Sequence, residues 1–351
     1  MIGLELVGFM LLIQALRWWI SPKKNSTDPT GIGSPIPSVT FLVAAWNAEL
    51  NVEPFIRSFS AITGLDKQLV LCAGGSDGTL GQALSYHSDT IIVVEQDAID
   101  GKQQALKKAL EQAWGDIIYL TDIDCRLEDD SVKPLVQYVA DHPDRVATGT
   151  VRPLESQMGN NFVLMQWAIR EQSNGPDGSL VGGIDGRNAA MARSILQTTR
   201  VLNVPAPSGT DYTLAKELLR LGYSIYFIEG SRMQTEFPKN LTIYIQKQAR
   251  WLRNVYVLGK RYGAQGEVRR VTLTLAFPFG AVMGLIASIL VTNLFWLPVL
   301  LILYSLSSRA LYLHRINRPR AVASCLSVLV GDWAAALLTV RHLYRGDLSW
   351  S

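Results

Sequence analysis

The chain has little of what marks a nucleic-acid binder, a zinc protein or a disulfide-stapled secreted domain. Its formal charge is only +3 over 351 residues, which is too small to suggest a nucleic-acid partner, and none is expected. Four histidines are scattered with no zinc spacing, and three cysteines (Cys72, Cys125, Cys325) cannot all pair. Two of these cysteines fall in apparent core strands, which fits a reducing compartment. No Gly-x-Gly-x-x-Gly turn follows the first strand and no Walker loop occurs, so dinucleotide and P-loop readings drop out.

What the chain does have is an apolar excess, with hydrophobic residues at 48% and the surplus gathered at the two ends. Residues 1–22 read as an N-terminal transmembrane anchor: Ile2 to Ile20 is mostly apolar and about long enough to span a bilayer. The segment lacks the basic start and small-residue cleavage site of a signal peptide. Arg17, Lys23 and Lys24 on its C-terminal side place the next part of the chain in the cytoplasm. Residues 23–37, rich in Ser, Pro and Gly, are a linker. At the other end, 241–270 reads as a basic amphipathic interfacial helix carrying Lys247, Arg250, Arg253, Lys260 and Arg261. Residues 271–351 form a C-terminal membrane region of two or three apolar helices, with a hairpin turn near Thr292 and Asn293. Asp332 interrupts the last apolar stretch, and ionisable residues in such segments are usually paired or functional. The localisation implied is a multi-pass protein of the cell membrane.

Between the ends, 38–240 alternates strand and helix, which argues for an α/β domain on a parallel sheet. The expected strands are Val39–Trp46, Leu69–Ala73, Thr90–Val94, Asp116–Leu120 and Ile225–Glu229. The expected helices are Glu49–Ile62, Lys102–Ala113, Gly159–Gln172 and Thr210–Leu221. The run that ends at Leu120 leads into Thr121-Asp122-Ile123-Asp124, two carboxylates one residue apart where parallel sheets collect ligands. Such a pair is relieved by a hard divalent cation (Mg2+ or Mn2+) that also holds a substrate's phosphates. Asp-x-Asp is also common in surface turns, so the rest of the chain has to decide.

Several pieces, taken together, resemble an inverting, membrane-bound glycosyltransferase of family 2 with the GT-A fold, over roughly Ser38 to Trp251. Val43-Ala44-Ala45-Trp46-Asn47-Ala48-Glu49 is similar to that family's first strand and turn. Gly75-Ser76-Asp77-Gly78-Thr79 resembles the tail of its nucleotide loop, and Gly101-Lys102 with Ala105-Leu106 its Gly-Lys segment. Asp122-Ile123-Asp124 takes the place of its metal-binding motif, and Gly209-Thr210-Asp211 that of its Thr-Glu-Asp. Lys247-Gln248-Ala249-Arg250-Trp251 resembles the Gln-x-x-Arg-Trp motif of its membrane-bound synthases.

The resemblance implies roles for these residues. Asp211 is the catalytic base, and Asp122 with Asp124 holds the divalent metal. Ala45, Asn47, Glu49, Asp77, Lys102, Asp122 and Arg250 bind the donor, and Asp185, Asn188 and Trp251 bind the acceptor. The partners are a nucleotide diphosphosugar (UDP-sugar on the family pattern), a lipid or glycan acceptor, and the membrane. Asp211 opens a helix, where capping and base are both open readings. Two departures matter. Cys72 and Ala73 stand where the family carries paired aspartates toward the base, and Lys247 stands where it has Gln. The first loosens the expectation of uridine, and the second counts against a processive polysaccharide synthase. A catalytically silent scaffold of the same fold is the other alternative.

Overall fold

The continuous apolar runs of the first third become strands buried on both faces. β1 (Val39–Trp46) leaves two residues short of full burial, and β2 (Lys67–Gly74) leaves one. With β3 (Ile91–Glu95) and β4 (Ile117–Leu120) they pair in parallel, in the order β3-β2-β1-β4. These strands belong to a computed structural model that describes residues 37–98, 100–206, 208–290 and 296–346. The helices between them are α1 (Glu49–Ala61), α2 (Thr79–Leu84) and α3 (Gly101–Glu111). α3 buries Ala105, Leu106 and Ala109 in a cluster with Leu42, Val70 and Ile118 of the strands, the apolar face its spacing predicts.

The sheet then changes character. Beyond β5 (Cys125–Arg126) and α4 (Asp129–Asp141), the chain adds β6 (Val146–Pro153), β7 (Ala189–Ala192) and β8 (Ile225–Thr235). β7 runs antiparallel to both β4 and β6, and β8 is parallel to β6. The outcome is a mixed eight-stranded sheet, β3-β2-β1-β4-β7-β6-β8-β5. α6 (Arg193–Thr199) follows β7, and α7 (Thr210–Arg220) precedes β8. The chain leaves β1 toward β2 and β3, then returns to β4 on the other side of β1. The crevice beyond the carboxyl ends of β1 and β4 is therefore the switch point where such sheets bind ligands.

Two compact units divide the chain. The sheet and its helices form one, and residues 156–173 with those from 237 onward form the other. Helix α5 (Asn161–Ser173) thus groups with the C-terminal helices, although the sequence places it inside 38–240. That second unit holds α8 (Leu241–Arg261), α9 (Gln265–Leu290), α10 (Trp296–Tyr312) and α11 (Cys325–Arg345). Met165, Ala168, Tyr244, Leu313, Cys325 and Val328 share one buried cluster in it. Asp332 is paired: the Tyr244 hydroxyl donates to its Oδ1 at 2.6 Å, and the Arg309 guanidinium holds its Oδ2. A Cβ at Gly331 would come within 2.8 Å of the Tyr244 ring, so only glycine allows this approach of α8 and α11.

Among the described residues one helical run, Pro319–Arg345, is long and apolar enough to cross a membrane by length and composition. This is the stretch whose Asp332 raised doubt in the sequence. Membrane helices at both ends were the expectation. The N-terminal anchor at 1–22 and the hairpin turn at Thr292 and Asn293 lie outside the described residues.

Candidate active site

β4 ends at Leu120, and a tight turn follows in which the Cys125 amide donates to the Asp122 carbonyl at 3.0 Å. This turn sets Asp122 and Asp124 at the switch point, both partly buried. Lys102, in the first turn of α3, closes on Asp122: its Nζ lies 2.5 Å from Oδ1. Gly101 enters that helix with φ +60°, a left-handed turn that a side chain would strain. Lys108 pins the preceding loop through Asp97 at 2.8 Å and Asp100 at 2.6 Å.

Asp211 arrives from the first turn of α7. Its helix is entered through Gly209 at φ +71°, and no side chain caps it. Asp211 packs against the backbone of Gly186, where a Cβ would come within 2.9 Å of its own. Burial pushes the half-buried Asp211 carboxyl above the ordinary carboxylate range. Lys102 opposes that shift, while Asp185 and Asp122 add to it. For Lys102, burial works against the charge, but Asp122, Asp211 and Asp124 more than offset it and the ammonium is held.

Asp185 is nearly sealed and grips the neighbouring Arg187, taking Nε on Oδ1 at 3.0 Å and Nη2 on Oδ2 at 3.3 Å. Arg187 also faces the field of Asp124. Four carboxylates (Asp122, Asp124, Asp185, Asp211) thus surround two cations (Lys102, Arg187), a surplus of two negative charges. Arg126 and Glu236 also lie within reach of this group and leave the balance unchanged. A surplus of this size, formed by hard oxygen donors, fits a divalent ion. Among the described residues no three His, Cys, Asp or Glu converge to cage a metal. Two carboxylates that share an ion with substrate phosphates remain the arrangement the residues allow.

The other sequence-predicted residues fall into three groups. Asn47, Glu49 and Asp77 come together at the ends of β1 and β2, where their oxygens brace the loop. Asn47 Oδ1 accepts from the Ser76 amide at 2.7 Å. Glu49 Oε2 accepts from the Gly78 amide at 3.2 Å, and Asp77 Oδ2 from the Glu49 amide at 3.2 Å. The hydrogen bond from the Thr79 hydroxyl holds the Asp77 carboxyl below its ordinary value. All three side chains remain exposed at the rim.

Ala45 and Asn188 correct the expectation, because both are fully buried and cannot meet a ligand. Asn188 instead ties the sheet together. Its Oδ1 accepts from Tyr119 Oη at 2.5 Å and Ser231 Oγ at 3.1 Å, and its Nδ2 donates to the Thr150 carbonyl at 2.8 Å. Cys72 and Ala73 are likewise sealed, and burial pushes the Cys72 thiol up to about 12, leaving a neutral core residue. Arg250 and Trp251 lie on α8 in the other unit, with Trp251 58% exposed.

The Asn188 assignment is testable. Truncation to Ala would leave the Tyr119 hydroxyl and the Thr150 carbonyl short of partners inside the core, each worth about 1–3 kcal/mol. We expect Asn188→Ala to lose ~3 kcal/mol or more in denaturant unfolding. Unchanged stability with weakened acceptor use would return Asn188 to the binding surface.

Two residues escaped the sequence reading. Arg187 sits in a Gly-rich loop, and nothing in the sequence marks that it pairs with Asp185 and faces Asp124. Trp46 ends β1 at 41% exposure, its ring against Gly74, where a Cβ would come within 2.9 Å. A cavity of about 390 Å³, lined by Glu128, Asp129, Asp130, Arg152, Gly230 and Arg232, contains none of the predicted residues. Its arginines are already paired, Arg152 with Glu128 and Glu155 and Arg232 with Glu229.

A half-parallel, half-mixed sheet with paired carboxylates at its switch point and a third carboxylate facing them defines a group-transfer enzyme of the GT-A class. Residues 37–254 match the family described as glycosyltransferase like family 2; the chain belongs to it and is a glycosyltransferase. Among solved structures it is similar to the mannosyltransferase PcManGT from Pyrobaculum calidifontis, solved with GDP-Man and Mn2+. That similarity has 22% identity, covers 95% of each chain and has a TM-score of 0.60. It is also similar to GalNAc-T7, solved with UDP, GalNAc and Mn2+, at 12% identity over 62% of this chain and 47% of that one, TM-score 0.47. No curated protein matches the chain.

Proposed function

We propose that this enzyme moves a sugar from a nucleotide diphosphosugar, with inversion, onto a lipid or glycan acceptor at the cytoplasmic face of a membrane. The observation that carries this reading is the position of Asp211 on α7, facing Asp122 and Asp124 around one lysine. Inversion in a single displacement needs the acceptor hydroxyl deprotonated on one side of the sugar and the diphosphate released on the other. Asp211, with its carboxyl raised by burial, is suited to accept that proton. Asp122 and Asp124 would hold a divalent ion, which when bound offsets charge on the leaving phosphate. Lys102 and Arg187 add fixed positive charge beside it, and the exposed Trp46 ring offers a stacking face at the nucleotide end.

The membrane part of the proposal is supported by the apolar run Pro319–Arg345 and by outward-facing Leu326, Val330 and Leu337 on it. On α8, the exposed Trp251 and the cations of Lys247 and Lys260 suit a headgroup surface. The donor base stays open between uridine and guanosine: the family's acidic contact is replaced by Cys72 and Ala73, and the similar mannosyltransferase holds GDP-Man.

The test is a panel of UDP- and GDP-sugars incubated with enzyme-bearing membranes, followed by nucleoside diphosphate release and mass analysis of the lipid extract. One donor should support release and add one sugar mass to a membrane lipid or a lipid-linked glycan. Release from no donor, with or without added lipid, would overturn the proposal.

A further inference from the structure

The acidic centre already contains a cation. Lys102 Nζ sits 2.5 Å from Asp122 Oδ1, with the two side chains only 21% and 30% exposed, so solvent screens the pair poorly. An incoming divalent ion would meet an ammonium on one of its two carboxylates. The root of that lysine is fixed: Gly101 sets the helix start, and Lys108 ties down the loop before it. Only the side chain can swing. Asp211 and Asp124 already act on the ammonium without drawing it from Asp122, so its release calls for a stronger anion than either. The protein also lacks a third acidic ligand among the described residues. A diphosphate supplies both missing parts, an anion to receive Nζ and oxygens to complete the ion's shell.

We propose that Lys102 keeps the metal site closed until a nucleoside diphosphate arrives, so that ion and nucleotide bind cooperatively and Lys102 sets the strength of that coupling. This rests on the metal assignment made above but not on the identity of the donor sugar. Coupling of this kind is reciprocal: whatever factor the nucleotide contributes to ion affinity, the ion returns to nucleotide affinity. Two other roles make different demands. A lysine that serves only phosphate would leave ion binding to the nucleotide-free protein unchanged when removed. A lysine that acts only through long-range charge would be mimicked by any nearby cation.

The experiment is Mn2+ titration of the full chain in detergent, reading free Mn2+ by electron paramagnetic resonance, with and without GDP or UDP. For the native protein we expect the effective nucleotide to raise Mn2+ affinity ~100-fold, within the usual range of coupling factors. In Lys102→Met, nucleotide-free Mn2+ affinity should rise about tenfold and the enhancement should shrink to about tenfold or less. Lys107→Met, on the same helix, controls for general charge and should shift Mn2+ affinity less than about twofold. Should the Met variant melt early, Lys102→Gln retains a hydrogen-bond donor without the charge and is compared in its place. Equal or weaker Mn2+ binding by the nucleotide-free Lys102 variant overturns the proposal, as does an equal rise in Lys107→Met. Absence of Mn2+ binding by the native protein, with either nucleotide present, removes the metal site and this inference together. The sugar-transfer assay reports on the enzyme's function independently of both.

Discussion

Replacing Asp211 with Asn should cut turnover by ~10²–10⁴-fold, the usual contribution of a general base, while melting temperature and nucleotide affinity barely move. Asn keeps the size of the side chain and its ability to accept from the Tyr212 amide at the start of α7, and Asn and Asp serve helix starts about equally well. What Asn lacks is a site for the acceptor's proton. The pH dependence sharpens the test. Burial raises the Asp211 carboxyl in the folded state, so the native protein holds this proton more tightly than the unfolded chain does. Stability from that protonated form is present at low pH and is lost as pH rises through the raised value. Activity runs the other way, since the base must be ionised. Native turnover should fall, on acidification, above the ordinary carboxylate range, and that limb should vanish in the residual activity of Asp211→Asn. Because Asn also removes a buried charge, the variant should be at least as stable as the native enzyme at neutral pH. Near-native turnover in Asp211→Asn would reduce this residue to a helix-start group.

The first half of the sheet was legible because burial on both faces writes itself as continuous apolar runs, as in Val39–Trp46 and Ile117–Leu120. In the second half only the start of β8, expected at Ile225–Glu229, was legible. β7 is the four-residue Ala189–Ala192, with three alanines, no alternation and no β-branched residue to mark it. β8 continues past Glu229 through Ser231, Arg232 and Gln234, a polar run that reads as loop. Tertiary partners make it a strand: Ser231 bonds Asn188 and the Ser131 carbonyl, and Gln234 reaches Glu128 at 2.6 Å.

A similar limit applies to the site. The carboxylates were legible because Asp122 and Asp124 end a strand and Asp211 starts a helix, positions that sequence patterns mark. Which way a side chain faces is not marked. Asn188 stands one residue before β7, and nothing local distinguishes an amide pointing into a cleft from one that ties four strands together. Nor could spacing show that Asp185, four residues from β7, would reinforce the raised carboxyl of Asp211.

Loss of the Asp124 carboxylate should remove divalent-dependent nucleotide binding and lower turnover by ~10³-fold or more. A bound ion at such a site typically supplies several kcal/mol of charge stabilisation, and each ~1.4 kcal/mol is a factor of ten in rate. Asp124 stands at the switch point with Thr235 Oγ1 3.4 Å and Cys125 Sγ 3.8 Å from its Oδ1, and its charge acts on Lys102 and Arg187. Asp122 alone cannot replace it, since one carboxylate cannot both hold the ion and orient the diphosphate. In Asp124→Ala the balance of charge at the centre sets the effect on stability. The centre carries two surplus negative charges, so removing one relieves repulsion, and the unfolding midpoint should hold or rise slightly. Stability and function therefore move in opposite directions, which a merely structural role for Asp124 would not produce. The readouts are nucleoside diphosphate affinity with and without Mn2+, turnover, and thermal unfolding of both proteins. Native turnover in the presence of a chelator, or Mn2+-dependent nucleotide binding that survives in Asp124→Ala, would sink the metal assignment. Asp211 and the fold would remain to be explained without it.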